Sequence, residues 1–203
     1  LDLDPAHAGA RTALERRLTD DKHKLAAAGI LEPIYETLAE WAPLVGVHEI
    51  QLAAETDSLR RTALLGKIGE LHKRRLGDAE KAFDAYARSF GEDPSGDAAK
   101  REIEELAAVV DKGHARQVAL FETAVESGKL DSALVHELSL KIAALHEERL
   151  SNTDKAVTYF KRALEVQPDD ETSLSALENI FTRDGKYPQL LEVYRRRVDI
   201  ADP

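Results

Sequence analysis

The chain has 203 residues, 43% of them hydrophobic, 33% charged and 5% aromatic, which suits one or two folded domains and excludes a disordered chain. Lys and Arg number 28 against 38 Asp and Glu, so the net charge is −10. An acidic chain repels phosphate backbones, which argues against nucleic acid and anionic membrane surfaces as partners.

The elements can be taken in chain order. Pro and Gly are sparse, and they separate long stretches rich in Ala, Leu, Glu, Lys and Arg, which are good helix formers. Leu1–Pro5 reads as the tail of a preceding hairpin, because Pro5 sits nine residues before Leu14-Glu15, as Pro94 precedes Ile103-Glu104 and Pro168 precedes Leu177-Glu178. Helices are predicted over 8–18, 21–38, 40–54, 58–75, 78–90, 95–110, 114–127, 131–149, 153–165, 170–183 and 187–200. Pro33 is expected to kink the second or divide it near Leu31. Apolar residues recur at three- and four-residue spacing, as in Leu64, Leu65, Ile68 and Leu71 or Leu138, Ile142 and Leu145. Asp78, Asp131, Thr153, Asp169 and Asp170 suit helix starts. No segment alternates strictly enough to predict a strand.

Self-comparison supplies the architecture. Ile68-Gly69-Glu70-Leu71-His72 matches Ile142-Ala143-Ala144-Leu145-His146 at a shift of 74, and without a gap Tyr86 meets Phe160 and Pro94 meets Pro168. Leu31-Glu32-Pro33-Ile34-Tyr35 matches Leu177-Glu178-Asn179-Ile180-Phe181 at a shift of 146, carrying Trp41 onto Tyr187, Leu44 onto Leu190, Val47 onto Val193 and Leu52 onto Val198. A middle copy around Ile103-Glu104-Glu105-Leu106 needs a small gap. The unit is therefore about 73 residues, or two helical hairpins. A lone hairpin cannot cover its own apolar face, so the copies must stack. The expected fold is all-α: a right-handed α-solenoid of stacked antiparallel hairpins over 1–203, with hairpins at 1–18 (partial), 21–54, 58–90, 95–127, 131–165 and 170–200.

Leu65, Ile68, Gly69 and His72, followed by Ala82, Tyr86 and Pro94, resemble the tetratricopeptide repeat. Ile142, Ala143, His146, Ala156, Phe160, Ala163 and Pro168 resemble it more closely. The resemblance implies close helix approach at the small residues and aromatic filling of the groove between hairpins. Three departures stand out. The turn in these two hairpins is one residue longer than usual. His72 and His146 occupy an aromatic slot. Glu32, Glu104 and Glu178 stand where a small residue is expected, which marks the alternate hairpins as more degenerate. Arrays of this kind are common in large bacterial scaffold proteins. With no Met in the sequence, Leu1 is not a translation start and the chain reads as a piece of a longer array.

Sites for chemistry are lacking. Without cysteine there is no disulfide, thiolate zinc site or cysteine nucleophile. No two of the seven His are spaced i, i+4, and no phosphate-binding loop, dinucleotide fingerprint or hydrolase motif occurs. Acidic pairs such as Glu104-Glu105 diverge around a helix and suit a solvated face. The basic runs Arg16-Arg17, Arg60-Arg61, Lys73-Arg74-Arg75 and Arg195-Arg196-Arg197 also fan out, and they are expected to be solvated or ion-paired. Arg75 and Arg149 recur and are expected to bond to the neighbouring turn. No apolar run reaches the roughly 18 residues of a membrane span.

The expectation is a non-catalytic scaffold without a cofactor. It would bind a protein or peptide on a concave face lined by the first helix of each hairpin. The candidate groove residues are Lys67, Glu70, Lys73, Arg74, Arg101, Glu105, Glu137, Lys141, Glu148, Asn179 and Arg183, with Ala63 and Ala144 between them. Filling of that groove by solvent or by the next repeat is the alternative. The residues of the family's carboxylate clamp are absent: its positions carry Gly66 and Glu70, and Leu140 and Ala144. A structural spacer and an RNA-binding helical repeat are competing readings.

Overall fold

A computed structural model describes residues 7–201, so the expected hairpin tail at Leu1–Pro5 lies outside the described residues. Helices account for all the regular structure among them, without a strand. They are α1 (Ala8–Glu15, continued by a 3-10 turn at Arg16–Thr19), α2 (Lys24–Thr37), α3 (Trp41–Ala54), α4 (Ser58–Glu70, continued by a π-helical segment at Leu71–Leu76), α5 (Ala79–Glu92), α6 (Asp97–Ala107), α7 (Gly113–Glu126), α8 (Ser132–Glu148), α9 (Thr153–Val166), α10 (Glu171–Arg183) and α11 (Tyr187–Ala201). They fall into two compact units that divide between Asp111 and Lys112, inside the turn of the expected hairpin 95–127. Within each unit the helices pack on their neighbours in sequence, α2 on α3, α3 on α4 and α4 on α5 in the first, α8 on α9, α9 on α10 and α10 on α11 in the second. Each is a segment of α-solenoid, as the repeat requires.

Helix starts repeat with the sequence. The Asp57 carboxylate accepts from the Arg60 amide at 2.9 Å, and Asp131, 74 residues on, accepts from Leu134 at 2.8 Å. Asp78 caps α5 through the Lys81 amide. Its counterpart is Asn152, which accepts from Lys155, so the cap of α9 is Asn152 rather than Thr153. Asp170 caps α10. Asp57 escapes the sequence reading because nothing marks it out from its acidic neighbours.

Two turn geometries recur. Between α2 and α3 the Glu40 amide donates to the Tyr35 carbonyl, five residues back, with Ala39 at φ 55°. Between α10 and α11 Lys186 donates to Phe181, with Gly185 at φ 65°. Between α4 and α5 the reach is six residues, Asp78 to His72, with Gly77 at φ 66°. The α8–α9 turn does the same, Asn152 to His146, with Ser151 at φ 52°. The wider span absorbs the extra residue noted in the sequence, and the π-helical segment is where the first of these turns accommodates it. A left-handed conformation strains any residue with a Cβ. Ser151→Gly is therefore expected to raise the unfolding free energy by about 0.5–1 kcal/mol, read from the urea midpoint.

Pro33 does not divide α2, which runs unbroken from Lys24 to Thr37. The bond it deletes would have reached the carbonyl of Gly29. Gly29 and Pro33 are both on the exposed side, where water can satisfy that carbonyl.

The core of the first unit contains Ala28, Leu31, Ile34, Tyr35, Leu44 and Val47 between α2 and α3. A second group, Leu52, Leu65, Ile68 and Ala85, joins α3 to α4 and α5. In the second unit Leu138, Ile142, Ala143, Ala156 and Ala163 are fully enclosed.

Candidate functional site

The departures from the repeat pattern explain one another. Gly69 is small because the Tyr86 ring lies against it: a Cβ there would come within 2.7 Å of that ring. Hairpins 21–54 and 170–200 place a Glu in this slot and bind it with polar side chains of their second helix. Glu32 accepts from the Gln51 amide at 2.7 Å, and buried His48 stands 3.8 Å from it. The counterpart Glu178 accepts from Tyr194 Oη at 3.0 Å, with Arg197 at 3.4 Å. His48 matches Tyr194 and Gln51 matches Arg197 at the same shift of 146. The acid is therefore a clasp across the hairpin, built for a different partner helix. Burial pushes the Glu32 carboxyl up, but hydrogen bonds from Gln51 and Lys67 outweigh it and hold the group below the usual carboxylate range.

His72 and His146 are both buried, as their shared slot requires. Burial pushes the His72 pKa down. His146 instead has Nε2 3.1 Å from Glu122, which also accepts from Lys155 at 3.1 Å. Burial raises the Glu122 carboxyl, and these two contacts more than reverse it.

Most of the basic runs are structural. Arg61 donates to the carbonyls of Leu52 and Glu55 at the end of α3 and pairs with Glu92. Arg196 donates to the carbonyls of Leu164 and Pro168 after α9, and Arg162 to that of Val125. These cations close the C-terminal ends of preceding helices, where carbonyls lack partners. Arg75 stacks over Trp41 just past the α2–α3 turn, 4.9 Å from the ring centroid. Arg149 is exposed, and Ala115 stands where a matching ring would be.

The candidate groove residues divide between the two units. In the first, Lys67 donates to Glu32 at 3.2 Å. Lys73 bridges Glu102 at 2.6 Å and Glu105 at 2.5 Å, and Arg74 is 3.7 Å from Glu70. Arg101 is exposed near Glu105. In the second, Lys141 is 3.8 Å from Glu137, Arg183 reaches Asp184, Glu147 and Thr153, and Glu148 and Asn179 are exposed.

Two open concavities lie side by side in the first unit. One, of about 430 Å³, lies between α2 and α4 and includes Leu25, Glu32, Gln51, Arg60, Ala63 and Lys67. The other, of about 280 Å³, includes Glu36, Trp41, Lys67, Glu70 and Arg75. Lys67 lines both. Of the predicted groove residues, Ala63, Lys67 and Glu70 are on these walls. Glu32, Gln51 and Trp41 were not foreseen there, and the out-of-pattern acid at position 32 was the signal available.

Among the described residues no group of three or more His, Asp or Glu is placed to hold a metal ion, and no helix is long and apolar enough to cross a membrane.

The hairpin of α10 and α11 carries a match to a known family. Residues 173–203 match the model of the tetratricopeptide repeat. This chain carries a tetratricopeptide repeat. The matched hairpin is one of those with the out-of-pattern acid, here Glu178. Among solved structures, the chain is similar to MamA, at 11% identity over 83% of this chain and 93% of that one, with a TM-score of 0.47. It is also similar to YrrB, described as a TPR protein with an unusual peptide-binding site, at 16% identity over 83% and 81%, with a TM-score of 0.38. No curated protein matches the chain. The helical tetratricopeptide-type repeat fits a protein-interaction scaffold.

Proposed function

We propose that this tetratricopeptide-repeat chain is a non-catalytic scaffold that binds a polar peptide or protein segment along the groove between hairpins 21–54 and 58–90. The observation that carries this reading is the pair of neighbouring concavities that share Lys67. Their walls mix acid, base and apolar surface, which suits a partner with both charges. The walls are borne on packed helices, so little is lost in ordering them on binding. Lys67 is half-exposed and held by one carboxylate, leaving donors free for a ligand oxygen. The candidate residues of the second unit, Glu137, Lys141, Glu148, Asn179 and Arg183, are a separate polar set in this reading.

A photo-crosslinking residue at Ala63, with a control at exposed Asp84 on α5, tests this in an extract of the source cells. The groove reading expects one adduct at position 63 that is absent at 84 and at least tenfold weaker in Lys67→Glu. Equal labelling at both positions, or no effect of Lys67→Glu, would refute the placement. A spacer would give no specific adduct at all.

A further inference from the structure

Helix α11 carries an apolar stripe that the hairpin leaves largely exposed, engaging only the Tyr194 hydroxyl, which donates to Glu178. Tyr187, Leu191, Tyr194 and Val198 follow one another at spacings of four, three and four, and are 72%, 48%, 43% and 64% exposed. That spacing puts them on one face of the helix. At the shift of 146 they correspond to Trp41, Val45, His48 and Leu52 of α3. There the same face is covered: Leu52 is buried with Leu65 and Ile68 of α4, and Val45 and Leu64 pack against that group. The chain therefore contains its own example of what belongs on such a stripe.

Charge contacts around the covered face show how the example would transfer. Trp41 of α3 takes the Arg75 guanidinium, Glu32 of the preceding α2 takes Lys67, and Glu49 of α3 takes Arg88 of α5 through two bonds of 2.7 and 3.0 Å. On the matched face Tyr187 keeps an aromatic ring and Glu178 keeps the acid. The third position is reversed, because Glu49 becomes Arg195. A hairpin identical to 58–90 would set Arg88 against Arg195.

We infer that α11 is a docking surface for a helical hairpin of the 58–90 kind that carries an acidic residue where that hairpin has Arg88. Its first helix would present the apolar set of Leu64, Leu65, Ile68 and Leu71. Basic side chains at the positions of Lys67 and Arg75 would meet Glu178 and Tyr187, and the acid would meet Arg195. A second copy of this chain fits poorly. In a second copy the hairpin 58–90 already covers its own α3, and its Arg88 would be set against Arg195. This face is separate from the groove between hairpins 21–54 and 58–90 and does not rest on it.

The test appends residues 58–92 directly after Pro203, since positions 201–203 match the linker 55–57. With Arg88→Glu in the added segment, it is expected to resist limited proteolysis at least tenfold longer than with Arg88 retained, and to unfold together with the second unit. Arg195→Glu should reverse that preference, favouring the unaltered Arg88 segment. Leu191→Glu should abolish protection of either, with the far-UV spectrum of the parent chain checked for integrity. Equal lability of the two forms, or a preference that Arg195→Glu does not reverse, would overturn the charge assignment. A parent chain that sediments as a dimer and becomes monomeric in Leu191→Glu would give the face to a second copy and overturn the proposal.

Discussion

Ile142→Ala is expected to lower the unfolding free energy by about 3 kcal/mol, within the 2–5 kcal/mol seen for such truncations in packed cores. Ile142 is fully buried in α8, between Leu138 and His146 on the same helix face. The transfer free energy of the lost methylene and methyl groups accounts for part of the loss, and the cavity left behind for the rest. The cavity term should be felt in full, since a close-packed interior relaxes only partly. Urea unfolding followed by circular dichroism would measure it. The matched Ile68 is 1% exposed and should behave alike. A loss below about 1 kcal/mol at both positions would mean that these faces are not the core that the repeat predicts.

Gly69→Ala is expected to destabilise by about 1–2 kcal/mol, and Gly66→Ala, one turn earlier in α4, to stabilise by up to about 1 kcal/mol. The intrinsic preference is the same for both, since Ala is better than Gly in a helix by about 1 kcal/mol. What differs is the surroundings. A Cβ at Gly66 meets nothing within 4 Å, whereas at Gly69 it would sit 2.7 Å from the Tyr86 ring. Tyr86 is 7% exposed and has little room to retreat. Overpacking of this kind costs about 1–3 kcal/mol, which exceeds the gain in propensity. Differential denaturation of the two variants decides it, and equal signs would refute the close approach of α4 and α5.

Helices were legible in the sequence because their apolar spacing and their breakers agree, as at Leu64, Leu65 and Ile68 or Gly77 and Gly128. The turn types were half legible. Gly77 and Gly185 advertise left-handed backbone, but Ala39 and Ser151 adopt it with no such sign, and only the repeat alignment links them to the glycines. The π-helical segment at Leu71–Leu76 gave no signal of its own beyond the extra residue in the turn. Charged side chains were the least legible part. Lys73 and Glu105 stood out as groove residues, yet they neutralise each other from different helices. The partners of Glu32 lie 19 and 35 residues away in Gln51 and Lys67, distances over which helical periodicity carries no information.

Each turn, and each acid or small residue in the shared slot, is matched to the second helix of its own hairpin. An exchange of one helix alone would set a glutamate where its partner requires glycine. An exchange of a whole hairpin carries slot, turn and partner together, so the smallest heritable brick of this array is the intact hairpin.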